Sequence, residues 1–250
     1  MVQKRGIMVA LYGYYGYGYY YDPMYILIII SCVIALIAQV KVKSTFNKYS
    51  RVSSSKGMTG AMVAEQLLRS QGIYDVSIQR VSGSLTDNYN PRNKTLNLSD
   101  SVYNSTSVAA IGVAAHETGH AIQHDRNYVP VKIRSALIPI TNIGSSLALP
   151  LIFMGLLFGA TSRFMGNLAY VGAACFGLSV LFQLVTLPTE FNASSRALAA
   201  IEDSRILTEE ELGGARKVLR AAALTYVAAL AVSLMEFLRL LTLVNRRNRR

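Results

Sequence analysis

The sequence predicts a mainly α-helical, multi-pass membrane protein with a small α+β soluble region. Three observations predict this class: 52% of the 250 residues are hydrophobic, the mean hydropathy is +0.31, and only 16% of the residues are charged. The apolar residues form long blocks instead of alternating at the short periods of an amphipathic soluble fold. A soluble core does not require this apolar surplus, so we expect the blocks to lie in a bilayer.

The apolar blocks divide the chain into seven segments. The first block has about 17 residues, which is just enough to span a hydrocarbon core. The short loop GATSRFMGN joins the second and third blocks, so the chain should return to the face that it left. The predicted segments are a Tyr/Gly-rich N-terminal segment (1–23), transmembrane helices at 24–40, 135–160, 166–187 and 221–244, a soluble region at 41–134, and a further helix at 188–219.

Two segments leave alternatives open. The run LYGYYGYGYYYD is predicted to form a flexible interfacial belt, with a cleaved signal peptide as the alternative. The last block contains Glu236 and Arg239 and ends in NRRNRR. We favour a spanning helix there, and the alternative is a helix that lies partly in the interface.

The soluble region combines helices and short strands. A helix follows Thr59 and stops at Gly72, and another runs from about Ser105 to about Asp125. VSIQRV and KTLNL are typical of strands, and the turn-rich segment SGSLTDNYNPRN separates them.

The net charge, the placement of ionisable residues and the two cysteines limit the kinds of function that the chain can have. The net charge of +11 could indicate nucleic-acid binding, but the basic residues flank apolar blocks and no nucleic-acid motif accompanies them. The predicted partner is the lipid bilayer, with no nucleic acid. A transporter would place ionisable residues within its spans, where they are nearly absent before Glu236. Cys32 and Cys175 lie in apolar segments, so we expect neither a disulfide nor a cysteine-ligated metal.

The segment AAHETGHAIQH contains an HExxH pattern formed by His116, Glu117 and His120. Residues at i and i+4 lie on one helical face about 5–6 Å apart, which lets two imidazoles bind one zinc ion. Glu117 could take the proton of an attacking water and pass it to a leaving amine. All three histidines of the chain fall within this one helix, whereas structural histidines would scatter. The pattern therefore favours a zinc site over buried core histidines.

A catalytic zinc site needs a third protein ligand and one open position. His124 lies two turns beyond His116, about 12 Å along the helix axis, which is too far for a shared ion. Glu190, in the segment 188–219 at the membrane edge, is the predicted third ligand, and the alternative is a carboxylate that stabilises a helix N-terminus. The residues predicted as possible supports of the ligands are Asn192, Ser194, Arg196 and His124.

The depth of the site follows from the residues around the motif. The apolar run VAAIGVAA before His116 is too short to span a bilayer, and polar residues follow it at once. We therefore expect the site to lie in water, at or above the membrane interface, unlike that of an intramembrane protease.

The segments SVAAIGVAAHETGHAIQH, LTDNYNP and LPTEFNASSRAL resemble the YugP-type neutral zinc metallopeptidases of bacterial membranes. The likeness covers almost the entire chain and implies a multi-pass membrane metallopeptidase. More distantly the chain is similar to the HtpX-like heat-shock membrane proteases, in which a Glu in a similar EFxA segment is the third zinc ligand. That likeness implies the same role for Glu190.

The chain departs from these patterns at two places. The YugP-type pattern reads Asp-His-Tyr-Asp-Pro where this chain has Asn88 and Asn90 around Tyr89. The HtpX-like pattern places an Asp four residues after the ligand Glu, where this chain has Ser194. We expect the groups that support the zinc ligands to differ accordingly.

The sequence therefore predicts a zinc metalloendopeptidase that hydrolyses peptide bonds of membrane or misfolded proteins, with a peptide or protein substrate as its partner. The basic residues near Lys41 and Arg134 favour a cell membrane location with the site facing the cytosol. If four segments span, the C-terminal NRRNRR favours the opposite orientation. The alternative function is a non-catalytic membrane scaffold with a structural zinc site. Glu117 argues against it, because a structural site would more often close with a fourth protein ligand.

Overall fold

The structure is a computed structural model that describes residues 23–159 and 161–247. The predicted tyrosine-rich belt in the segment 1–23 lies outside these described residues. In the described ranges, the helices are α1 Pro23–Tyr49, α2 Gly60–Ser70, α3 Asp100–Tyr103, α4 Val108–Asp125, α5 Val129–Phe158, α6 Arg163–Asp203 and α7 Glu209–Arg247, and the strands are β1 Ser77–Val81, β2 Asn88–Asn90 and β3 Thr95–Ser99.

Four helices, α1, α5, α6 and α7, are long and apolar enough to cross a membrane. Large apolar side chains stand exposed along them, including Ile29, Leu36 and Phe153, each about 60% exposed or more. Exposed apolar surface of this extent is typical of helices that face lipid. The predicted class, a helical membrane protein with a small α+β region, is confirmed.

The helices extend beyond the apolar blocks. Helix α1 continues past 40 to Tyr49, and α5 begins at Val129 because Pro130 occupies its first turn, where proline fits best. Helix α6 runs unbroken through 166–187 and on to Asp203. Hydropathy marks the lipid-facing part of a helix, whereas hydrogen bonding continues the helix into water.

The segment 188–219, predicted as one helix, is divided by a turn. Helix α6 ends before Arg205, which has a left-handed φ of +48°. Helix α7 then begins with a reciprocal cap: the Thr208 N–H donates to the Glu211 carboxylate at 2.9 Å, and the Glu211 N–H donates to Thr208 Oγ1 at 3.3 Å. This capping box satisfies two backbone donors at the start of α7.

The three strands form a sheet of order β1-β3-β2. The central strand β3 pairs in parallel with β1 and antiparallel with β2. Leu96 and Leu98 of β3 are fully buried in a core cluster that also contains Ala110 and Ala114 of α4. The sheet therefore packs on α4 and leaves β2 as an edge strand.

Helix α4 occupies the centre of the soluble region. The Ser107 hydroxyl caps it by accepting from the Ala110 N–H at 3.2 Å. Its first turns are rich in small residues that are completely buried, which lets neighbouring elements approach closely. Gly119 marks the closest approach, because a Cβ there would lie 2.4 Å from the carbonyl oxygen of Ala193 in α6. The crossing of α4 and α6 at this point requires glycine.

Candidate metal and active site

His116 and His120 project from one face of α4. Their ring centroids lie 4.8 Å apart and the ring planes are nearly perpendicular, at 82°. The i, i+4 spacing on a regular helix produces this separation. Both imidazoles therefore reach the same point beside the α4–α6 crossing.

Glu190 of α6 meets the two imidazoles at that point. Its Oε2 lies 3.2 Å from His116 Nε2 and 3.4 Å from His120 Nε2. Glu190 is only 2% exposed, and the three potential ligand atoms all lie within 4.8 Å of one another. Two imidazole nitrogens and one carboxylate oxygen are a donor set that zinc accepts in catalytic sites. These three residues could hold a metal ion, and their chemistry fits zinc.

The far nitrogen of each imidazole has a hydrogen-bond partner. Ser194 Oγ lies 3.1 Å from His116 Nδ1, and Gln123 Oε1 lies 3.0 Å from His120 Nδ1. When Nδ1–H donates to such an oxygen, the proton of the neutral imidazole is on Nδ1 and the lone pair of Nε2 stays free. Nε2 is the nitrogen that faces Glu190. Ser194 thus contacts a candidate ligand directly, from the position where the HtpX-like pattern has an Asp.

Gln123 connects α4 to α6 through its amide nitrogen. Its Nε2 donates to the Thr189 carbonyl at 2.7 Å and to Asn192 Oδ1 at 3.0 Å. Arg196 Nε also donates to Asn192 Oδ1, at 2.7 Å. Among the residues predicted to support the ligands, Asn192 and Arg196 therefore act on His120 only through Gln123. Sequence reasoning missed Gln123, although its position three residues after His120 on a helix was a usable signal.

Arg134 of α5 is a second residue that sequence reasoning missed. Its Nη1 lies 3.1 Å from Glu190 Oε1, the oxygen that does not face the histidines. The guanidinium compensates the charge of a buried carboxylate and fixes its orientation. The sequence offered no signal for this contact, because Arg134 resembles any basic residue that flanks a membrane span.

His124 lies outside the trio of candidate ligands. Its Nδ1 is 3.0 Å from the Tyr89 hydroxyl, and the two ring centroids are 5.9 Å apart. Burial, with Asp75 and Asp125 adding to it, raises the pKa of Tyr89 to about 12. The phenol is therefore protonated at neutral pH and can donate to His124. The contact attaches β2 to the end of α4.

Glu117 faces the same space as the candidate ligands. The residue is 8% exposed, and its carboxylate makes no hydrogen bond to another side chain in the part of the chain that the structure describes. Burial raises the pKa of Glu117, and the neighbouring His116 and His120 oppose that shift. A buried carboxylate without a protein partner is suited to bind and deprotonate a small polar molecule.

A cavity of about 340 Å³ opens onto these groups. It is large enough for part of a peptide chain, and polar and apolar residues both contribute to its wall. The lining residues include His116, Glu117, His120, Glu190, Asn88, Tyr89, Arg134, Ile138 and Tyr226. The cavity thus has a floor of candidate ligands and a side formed by the edge strand β2.

The asparagines that depart from the YugP-type pattern are engaged in local structure. Asn88 Oδ1 accepts from Asn97 Nδ2 at 2.9 Å, and Asn90 Oδ1 accepts from the Arg92 N–H at 3.0 Å. Both bonds lie within β2, its partner strand and the following turn. Asn88 also lines the cavity, and in the described residues neither amide forms a hydrogen bond with a histidine.

Comparisons with known proteins identify the family of the chain. A model of the family described as "Putative neutral zinc metallopeptidase" matches residues 24–245. A relative from Bacillus subtilis (strain 168), named "Putative membrane protease YugP", is 48% identical over 203 residues, which are 81% of this chain and 88% of that protein. No solved structure matches the chain. Because the family match spans the four long helices, the sheet and the cavity between them, the chain belongs to this metallopeptidase family.

Proposed function

We propose that the protein is a zinc-dependent metalloendopeptidase that hydrolyses peptide bonds of membrane or misfolded proteins. The observation that supports this most strongly is the convergence of two imidazole Nε2 atoms and one carboxylate oxygen beside Glu117, in a single cavity. The membership of the chain in the metallopeptidase family supports the same activity.

His116, His120 and Glu190 would hold the zinc ion. When bound there, zinc would polarise the scissile carbonyl and acidify the attacking water. Arg134 keeps Glu190 Oε1 engaged, so Oε2 remains directed at the two histidines. Ser194 and Gln123 hold the imidazoles in the orientation that presents Nε2.

Glu117 would move the proton. Its carboxylate takes a proton from the attacking water and then donates it to the nitrogen of the leaving amine. Burial favours the protonated form of Glu117 more than water would, which suits a group that must first accept and then release a proton. Because its carboxylate forms no hydrogen bond with another side chain of the described residues, both oxygens remain available for this transfer.

The edge strand β2 would align the substrate. Asn88 and Tyr89 line the cavity, and β2 pairs with β3 along one edge only. An extended peptide can add to such an edge through main-chain hydrogen bonds. This placement would hold the substrate peptide in an extended conformation and bring one of its peptide bonds to Glu117.

The four long helices support a multi-pass placement in a membrane, and the likeness to the Bacillus subtilis protein supports a bacterial cell membrane. With all four spanning, the soluble region and the turn at 204–208 share one face, and the chain ends on the other. The basic residues at the end of α1 and the start of α5 favour the cytosol for the face with the cavity. Reporters inserted at 204–208 and at the C-terminus should give opposite locations, the first in the cytosol.

The peptidase is tested with purified full-length protein in detergent. Wild type and Glu117→Gln are compared for cleavage of an unfolded membrane protein and for bound zinc. We expect both to bind zinc and the variant to lose at least about 100-fold in cleavage rate, the usual scale for a general base. If both bind zinc and neither cleaves any substrate in a broad panel, the structural-zinc scaffold becomes the better account.

A further inference from the structure

A second cavity, of about 330 Å³, lies between the C-terminal part of α1 and the N-terminal part of α7. It shares no lining residue with the cavity that contains Glu117. The two helices that form it are packed firmly, because Phe46 and Val218 belong to one buried cluster. A Cβ at Gly214 would lie 2.8 Å from the ring of Tyr49, so the helices also approach closely there. The cavity is therefore a preformed groove.

Four cations line this groove. Lys41 and Lys48 stand two turns apart on α1, and Lys217 and Arg220 stand one turn apart on α7. These spacings place each pair on a single helical face, so both faces direct positive charge into the same space. Since the cations come from distant parts of the sequence, their meeting is a property of the fold.

Among the described residues, no acidic side chain neutralises the positive charge of the groove. Its lining contains no Asp or Glu, and no carboxylate of the described residues forms an ion pair with any of the four cations. The ammonium of Lys48 lies 5.6 Å from the ring centroid of Tyr49, which does not neutralise it. Like charges gathered around one cavity attract an anion.

The groove lies where the apolar surface of the helices ends. Exposed apolar side chains continue along α1 as far as Val40, and Lys41 follows directly. On α7, Arg220 is followed one turn later by Leu224, which is exposed and also lines the groove. This order of charge and apolar surface matches the headgroup and acyl regions of a phospholipid.

We propose that this groove binds the phosphate headgroup of an anionic membrane phospholipid such as phosphatidylglycerol. The phosphate contacts the four cations, and the acyl chains lie along the apolar surfaces of α1 and α7. Binding at this site needs neither zinc nor Glu117, so the proposal is independent of the peptidase activity.

The test uses full-length protein stripped of lipid in a neutral detergent. Binding of phosphatidylglycerol is measured by native mass spectrometry for wild type, for Lys41→Gln/Arg220→Gln, and for the matched control Lys43→Gln/Arg216→Gln. The control removes the same charge from exposed residues of the same two helices that do not line the groove. A second groove variant, Lys48→Gln/Lys217→Gln, replaces the first if that protein does not fold, as judged by thermal unfolding.

We expect wild type and control to bind phosphatidylglycerol equally, and the groove variant to bind it about tenfold or more weakly, as the loss of two interfacial cations implies. Phosphatidylcholine should bind weakly to all three proteins. If the control and the groove variant lose phosphatidylglycerol binding equally, the binding depends only on the overall positive charge of the protein, and the proposal is overturned. Inorganic phosphate that binds wild type as tightly as the lipid would assign the groove to a free anion instead.

Discussion

Gly119 of α4 and Ala193 of α6 touch so closely that a Cβ on the glycine would lie 2.4 Å from the alanine carbonyl oxygen. Gly119 is adjacent to His120 on α4, and Ala193 lies one turn after Glu190 on α6, so this contact determines how near the histidines come to the carboxylate. The backbone of α6 cannot move aside as a flexible side chain could. The geometry of the candidate metal site therefore depends on a residue that carries no functional group.

Gly119→Ala should separate α4 from α6 and weaken the metal site. The forced shift should cost about 1–3 kcal/mol in the free energy of unfolding, as overpacking usually does. Zinc affinity should fall with it, because Glu190 Oε2 moves away from both Nε2 atoms. Thermal unfolding and zinc titration measure the two effects.

The control for this substitution is Gly213→Ala in α7. A Cβ there meets nothing within 4 Å, so the change should leave zinc affinity intact and gain helix propensity of up to about 1 kcal/mol. If Gly119→Ala binds zinc as tightly as wild type does, the α4–α6 crossing does not determine the position of the ligands.

Glu190→Ala should remove both a zinc ligand and the partner of Arg134. We expect zinc binding to be lost, and the guanidinium left without its carboxylate should lower stability by about 3–5 kcal/mol. The double variant Glu190→Ala/Arg134→Met should regain part of that stability without regaining zinc.

The matched control for Glu190 is Glu202→Ala, an exposed carboxylate farther along α6. It should bind zinc as wild type does. Full zinc occupancy in Glu190→Ala would eliminate Glu190 as a ligand and leave it only as the buried partner of Arg134. The alternative of a carboxylate that stabilises a helix N-terminus is wrong, because Glu190 lies far inside α6.

Local rules explain the part of the site that the sequence predicts most directly. His116 and His120 share a face because they are four residues apart on one helix, and no tertiary information is needed. The proximity of Glu190 is a long-range property, and its prediction depends on the membrane topology and on the likeness to HtpX-like proteases. The contact between Arg134 and Glu190 joins two different helices, and neither periodicity nor spacing indicates it.

The fold class follows from hydropathy, whereas the helix ends do not. Apolar blocks reveal where lipid contacts a helix, but α6 continues well past its block because its polar residues still form regular helical turns. The turn at Arg205 depends on a left-handed backbone at a residue other than glycine, which local sequence signals rarely mark. Tertiary packing therefore sets these boundaries.

Gln123→Leu should leave the imidazole of His120 without its orienting hydrogen bond while keeping all three candidate ligands. The substitution deletes the partner of His120 Nδ1 and leaves the Thr189 carbonyl and Asn192 Oδ1 with one donor fewer. Loss of such a supporting group typically costs 10–100-fold in metal affinity, on the order of 1–3 kcal/mol. Competition with a chromogenic chelator measures the change.

Gln66→Leu is the control, because Gln66 is an exposed glutamine on α2. Its zinc affinity should equal that of wild type. Gln123→Glu restores an acceptor for His120 Nδ1 and should bind zinc more tightly than Gln123→Leu. If all three variants bind zinc alike, Gln123 has a packing role only.

His124→Asn and His120→Asn should separate the two histidines by function. His120→Asn removes a donor from the trio and should abolish tight zinc binding. His124→Asn disrupts only the contact with Tyr89, so it should keep one zinc per chain and lose about 1 kcal/mol of stability, the usual value of one hydrogen bond. Tyr89→Phe should reproduce the His124→Asn stability loss, and combining the two should add little because both remove the same bond. Zinc loss in His124→Asn would instead mean that the end of α4 reorganises to bring His124 to the metal.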